Sequence, residues 1–193
     1  MTGASGWRTV DIVVTAAIAV AFGVVFWAWN FVWSATTPAF VAVPPAQNLL
    51  YGVWLIPAVL AGLVVRKPGA ALFAELVAAS VSALLGSQWG LDTLVSGALQ
   101  GIGAEIGFAA MRYRSWTLTT ALLAAALSAL GAWIHDMPLY YSDLSLVDQI
   151  VIGIFMLVSA VAIGGVFSWW LMRSLAQSGV LSQFAAGREQ TRV

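Results

Sequence analysis

Ala61-Gly62-Leu63-Val64-Val65-Arg66-Lys67-Pro68-Gly69-Ala70-Ala71-Leu72-Phe73-Ala74-Glu75 decides the fold. An apolar run stops at two adjacent basic residues, turns on Pro68-Gly69, and starts again. Lys and Arg are retained in cytoplasmic connections because their translocation is unfavourable. This stretch therefore reads as two membrane helices joined by a tight inner turn.

Working outward, the same punctuation recurs. Arg8 precedes the first apolar run, Arg112 and Arg114 separate the fourth from the fifth, and Arg173, Arg188 and Arg192 follow the sixth. The alternate connections hold no Lys or Arg. All eight basic residues thus fall on one side, which predicts six spans with both termini in the cytoplasm. The expected spans cover about 10–33, 48–65, 70–85, 91–111, 116–134 and 147–173. Each is judged against the roughly 20 apolar residues a bilayer crossing needs, with span three the shortest. The fold class is all-α integral membrane, one domain over residues 1–193, and Pro57 is expected to kink span two.

Composition agrees. The chain is 61% hydrophobic and 8% charged, against about 25% charged in a soluble domain. Its carboxylates Asp92, Asp136, Asp143 and Asp148 belong to the outer side. No broad basic patch points to nucleic acid. The absence of Cys excludes disulfides and thiolate chemistry. The first apolar run is too long for a secretory leader and lacks a small-residue cleavage site.

Two carboxylates, Glu75 and Glu105, fall inside predicted spans, where a charge is costly and often functional. Counted at about 1.5 Å per residue, both lie roughly 10–13 Å from the inner ends. Either they are bonded structurally to neighbouring helices, or they form a site for a cation or an amidine-like donor. No intramembrane Lys or Arg offers a counter-charge. Glu75, Ala79, Ser82 and Gly86 share one face of span three, leading outward to Gln88 and Trp89. Gly97, Gly101, Glu105 and Phe108 share one face of span four. Gln100 stands about 140° from Glu105 on a regular helix, so the two do not share one small cavity unless the glycines distort it.

Aromatic residues offer stacking surfaces. Trp89, Trp133, Tyr140 and Tyr141 gather at the outer mouth, where they suit a flat ring or a cation. The stripe Phe22, Phe26, Trp29 and Trp33 reads as packing more than as a stacking box. Trp7, Trp116, Trp169 and Trp170 read as interfacial belts. His135, the single His, ends span five; with no second His or Cys it builds no typical zinc site. Asn48 starts span two as a cap or a ligand group. Ala17 and Ala21, one turn apart on span one, permit close approach of another helix. There is no phosphate-binding loop and no nucleophile or metalloprotease motif, so the chain is expected to be no enzyme and to hydrolyse no ATP itself.

Arg66-Lys67-Pro68-Gly69-Ala70-Ala71, Glu75-Leu76-Val77-Ala78-Ala79, Leu84-Leu85-Gly86-Ser87-Gln88-Trp89-Gly90, Gln100-Gly101-Ile102-Gly103-Ala104-Glu105 and Arg112-Tyr113-Arg114 resemble the YkoE family of substrate-binding S-components of energy-coupling factor (ECF) transporters. The resemblance is specific over residues 52–116 and follows in outline elsewhere. It implies a six-helix vitamin-binding subunit of a prokaryotic cell membrane, served by a transmembrane coupling protein and ABC-type ATPases that use the ATP, with no cofactor of its own. It further implies thiamin or its hydroxymethylpyrimidine precursor as substrate, bound near the outer face under a first-loop lid at about 36–47. Docking on the coupling protein is implied through Ala17 and Ala21. The expected ligand residues are Asn48, Glu75, Gln88, Trp89, Gln100, Glu105, Trp133, His135 and Tyr140. The alternatives are a self-sufficient secondary transporter or cation exporter with Glu75 and Glu105 as proton relay, an intramembrane enzyme, and a structural assembly subunit.

Overall fold

The computed structural model describes residues 6–190, so Arg192 lies outside the described residues. Helix α1 runs Thr9–Thr36 and continues as a 3-10 turn, Thr37–Phe40. Helix α2, Pro44–Val65, is 3-10 over Pro44–Leu55 and α-helical over Ile56–Val65. Then come α3 (Ala70–Leu84), α4 (Asp92–Ala110) and α5 (Leu118–Tyr140). Helix α6, Leu146–Gln177, contains a π-helical stretch, Ala160–Phe167, and the short α7 covers Ala185–Gln190. Helices α1 (with its 3-10 extension), α2, α5 and α6 are each long and apolar enough to cross a membrane, and α3 is apolar but shorter.

Helix α2 is the central element: all of its α-helical residues, Ile56–Val65, are buried. Pro57 does not kink a continuous α-helix. It sits in the first turn of the α-helical part, where its missing N–H costs nothing. Helices α4 and α5 touch closely because their contact is made of small residues. A Cβ on Gly107 would lie 2.5 Å from the Ala124 Cα, and one on Gly131 would lie 2.4 Å from the Leu99 carbonyl oxygen. Such contacts replace the hydrophobic effect as the source of helix association in lipid.

Contacts gather the described basic residues at one end. Trp7 Nε1 donates to the Pro68 carbonyl (3.1 Å), and Lys67 Nζ reaches Asp11 at 2.6 Å. Asp11 also pairs with Arg8 at 2.8 Å and is fully buried. This clasp, unforeseen in the sequence, ties the start of α1 to the α2–α3 turn. That turn needs left-handed backbone at Arg66 (φ 58°) and Gly69 (φ 88°). Arg66 makes two contacts to Glu189, at 2.6 and 2.8 Å, which hold α7 against the same end.

At the opposite end, two irregular helices face each other. The Gly52 N–H donates to Ser159 Oγ (2.8 Å), and that hydroxyl donates to the Leu49 carbonyl (2.6 Å). The 3-10 part of α2 therefore lies directly against the segment where α6 passes from α to π geometry. Extended 3-10 runs and π segments are uncommon and often accompany functional sites.

Candidate functional site

A cavity opens at the end opposite the basic residues, enclosed by α1 to α5. It holds about 620 Å³ of atom-free space, mouth included. Phe26, Asn30 and Trp33 come from α1, and Tyr51 and Trp54 from the 3-10 part of α2. Three residues per turn in a 3-10 helix bring positions i and i+3 onto one line. Tyr51 and Trp54 therefore stand one above the other, with ring centroids 5.3 Å apart, and Trp33 lies 5.2 Å from Trp54. From α3 and α4 come Glu75, Ala79, Ser82, Asp92, Ser96, Gly97 and Gln100, and from α5 Asp136 and Tyr140.

Glu75 is fully buried. Its Oε2 accepts one hydrogen bond, from the Ala58 N–H at 3.1 Å, while Oε1 has no partner. Two more buried polar atoms in this lining are also unpartnered: Asn30 Oδ1 and Ser82 Oγ. An unsatisfied buried polar atom costs about 1–3 kcal/mol. Three of the five such atoms among the described residues belong to residues lining this one cavity; the others, Asn48 Oδ1 and Ser128 Oγ, lie outside it.

Nearer the mouth the polar groups are linked to one another. Gln100 Nε2 donates to Ser96 Oγ (2.7 Å) and Tyr51 OH (3.1 Å), and Tyr51 OH donates to Asp136 Oδ2 (2.8 Å). His135 lies between two carboxylates, with Nδ1 2.8 Å from Asp136 Oδ1 and Nε2 3.1 Å from Asp92 Oδ1. The Tyr140 hydroxyl donates to Asp92 Oδ2, and its ring meets Trp89 edge-on at 5.1 Å. The lining thus contains three carboxylates and, among the described residues, no Lys or Arg.

Of the residues expected from sequence, Glu75, Trp89, Gln100 and Tyr140 line this cavity. The structure places the others elsewhere. Glu105 points away, to the start of α3 at the basic end, where its carboxylate accepts from the N–H groups of Gly69 (2.7 Å), Ala71 (3.1 Å) and Leu72 (3.3 Å). Tyr113 OH adds a fourth bond at 2.6 Å. Burial and the adjacent Glu105 raise the Tyr113 phenol above its ordinary pKa, so it stays a donor. Glu105 therefore caps a helix whose free N–H groups attract an anion. Among the described residues it shares no hydrogen-bond partner with Glu75.

His135 sits behind the lining as a brace between α4 and α5. Gln88 accepts from Ser34 Oγ (2.7 Å) on the surface. Trp133 Nε1 donates to the Gln149 carbonyl (2.9 Å), fixing α5 to α6. Asn48 Nδ2 donates to the Pro45 carbonyl (3.1 Å), stabilising the 3-10 segment locally. None of these four lines the cavity, and neither does any residue of 36–47, so the first loop is not a lid over it in this conformation. Gln47 instead pins that loop to the Trp33 carbonyl at 2.8 Å.

Sequence reasoning missed Asn30, Tyr51 and Trp54. Asn30 had a signal: it is a lone amide four residues after Phe26 and three before Trp33, on their face of α1. Tyr51 and Trp54 had none, because their alignment depends on 3-10 geometry.

Comparison with known proteins agrees with this architecture. Residues 10–131 match the family described as "ABC-type cobalt transport system, permease component". The HMP/thiamine permease protein YkoE of Bacillus subtilis (strain 168) is 33% identical over 184 residues, covering 95% of this chain and 92% of that protein. A crystal structure of an S-component of an ECF transporter superposes with a TM-score of 0.91 at 32% identity, covering 97% of this chain and 94% of that one. The fold and cavity thus define a membrane subunit of a transporter, not an enzyme. The chain belongs to the YkoE family of ECF-transporter S-components and is a multi-pass protein of the plasma membrane. Among the described residues no group of three or more His, Cys, Asp or Glu is arranged to hold a metal ion.

Proposed function

We propose that this chain captures thiamin or its hydroxymethylpyrimidine precursor from outside the cell and delivers it to an ATP-driven ECF importer. The observation that carries this reading is the convergence of Asn30 Oδ1, Glu75 Oε1 and Ser82 Oγ, all buried and unpartnered, on a cavity walled by Trp33, Tyr51 and Trp54. An aminopyrimidine brings an amine donor, ring nitrogens and a flat face. The thiazolium of thiamin brings a fixed positive charge to a lining that has carboxylates and lacks cations. Aromatic faces hold such rings and charges by stacking and by their quadrupoles. The relative from Bacillus subtilis, named for hydroxymethylpyrimidine (HMP) and thiamine, supports the same substrate class.

In this reading the chain is a single six-span unit with both termini inside, and it carries no cofactor. ATP is hydrolysed by ABC-type ATPases, and a transmembrane coupling protein joins them to this subunit. Ala17 and Ala21 are both exposed on α1 and leave room for a helix of that partner. Calorimetric titration with thiamin, hydroxymethylpyrimidine and the thiazole alone tests the substrate. Binding of the first or second is expected, and failure of both overturns the assignment. Docking has a separate test. Ala17→Trp or Ala21→Trp should leave vitamin affinity unchanged while abolishing co-purification with the coupling protein and uptake. Normal uptake by both variants contradicts docking through this face.

A further inference from the structure

A second cavity lies at the basic end, among α2, α5, α6 and α7, remote from the proposed vitamin site. Trp116 and Trp169 wall it, Arg66 and Arg173 flank it, and Met172 and Ala186 complete its apolar surface. The two arginines differ. The Arg66 guanidinium is held by Glu189 and lies 5.4 Å from the Trp116 ring centroid. Arg173 lies 4.7 Å from the Trp169 centroid and has no carboxylate partner among the described residues. Among the described residues the indole N–H groups of Trp116 and Trp169 have no acceptor, as is also true of Trp27, Trp33, Trp54, Trp89 and Trp170.

The surface beside this cavity is apolar. Val166, Phe167 and Trp170 are exposed on α6 and lead along the helix to Arg173. An apolar column ending at an unpaired cation and two indole donors matches one ligand form: acyl chains joined to a phosphate. Basic pockets between transmembrane helices on the cytoplasmic side attract anionic headgroups, and the leaflet there is negatively charged. Trp at this depth suits the boundary between chain and headgroup.

We propose that this cavity is a site for an anionic phospholipid of the cytoplasmic leaflet, with its phosphate at Arg173 and its chains along Phe167 and Trp170. Such a lipid would complete the inner face around Arg66 and α7.

Delipidated chain in detergent, titrated with phosphatidylglycerol and followed by native mass spectrometry and thermal melting, tests the site. One saturable lipid that raises the melting temperature is expected, with phosphatidylcholine of the same chains at least fivefold weaker. Arg173→Gln should weaken phosphatidylglycerol about fivefold, whereas Arg173→Lys should retain most of the affinity. The double variant Arg112→Gln/Arg114→Gln, at the same end but outside the cavity, should change it less than twofold. A cooperative melting transition of lipid-free Arg173→Gln verifies its fold; if that variant does not fold, Trp169→Phe, which removes an indole donor, must weaken the lipid instead. Equal binding of the two lipids, wild-type affinity in Arg173→Gln, or an equal loss in the double variant overturns the site. Stabilisation by glycerol phosphate alone at matched concentration also overturns it, since the site would then take a soluble phosphate.

Discussion

Glu75 and Glu105 have the same side chain, fall within adjacent helices and lie at similar depth by residue count, yet they occupy opposite situations. Glu105 accepts four hydrogen bonds, three from the backbone at the start of α3 and one from Tyr113. Glu75 accepts one and keeps an oxygen without a partner inside a cavity. The difference teaches that an intramembrane carboxylate acquires meaning from its partners. The saturated one holds helices together, and the unsaturated one can accept a further hydrogen bond.

Three substitutions press on this contrast, in decreasing order of consequence. Glu105→Ala leaves three backbone N–H groups and a phenol without their acceptor, and should cost about 3 kcal/mol of stability. A melting curve reads this loss, and thiamin affinity of the folded protein should stay within twofold. A large affinity loss without a drop in melting temperature would contradict a structural Glu105. Ser82→Ala removes one neutral hydroxyl from the ligand cavity and should weaken thiamin about fivefold, or about 1 kcal/mol, with melting of the free protein unchanged or slightly raised. Unaltered affinity by calorimetry would detach Ser82 from the site. Tyr113→Phe deletes one of the four bonds to Glu105 and should lower stability by about 0.5–1 kcal/mol, leaving binding untouched. A melting curve identical to wild type would show that this bond carries nothing.

The helix-turn-helix at the basic end was legible in the sequence. Arg66-Lys67-Pro68-Gly69 marked a turn because charge and backbone restriction coincide there, and the structure puts the described basic residues at one end. The rest was less legible, for three physical reasons. The start of α2 is 3-10, so the α-helical period did not align Tyr51 with Trp54. Helix α5 continues through Pro138 to Tyr140, whereas the expected fifth span stops at about 134; the extra turns bring Asp136 into the lining. The clasp of Arg8, Asp11 and Lys67 joins segments more than 50 residues apart, which no local pattern reports. The expectation about Gln100 and Glu105 was sound in geometry. About 140° of helix does separate their faces, and the structure turns Gln100 into the cavity and Glu105 out of it.

The central claim is that the free oxygen of Glu75 belongs to the ligand. Calorimetric titration of wild type and Glu75→Gln with thiamin and hydroxymethylpyrimidine tests it most directly, because the substitution keeps shape and removes charge. A hydrogen bond to a charged group is worth about 1.5–3 kcal/mol, so a loss of roughly 10- to 100-fold in affinity is expected for at least one of them, with the variant folded. Full affinity of folded Glu75→Gln for both compounds would contradict it.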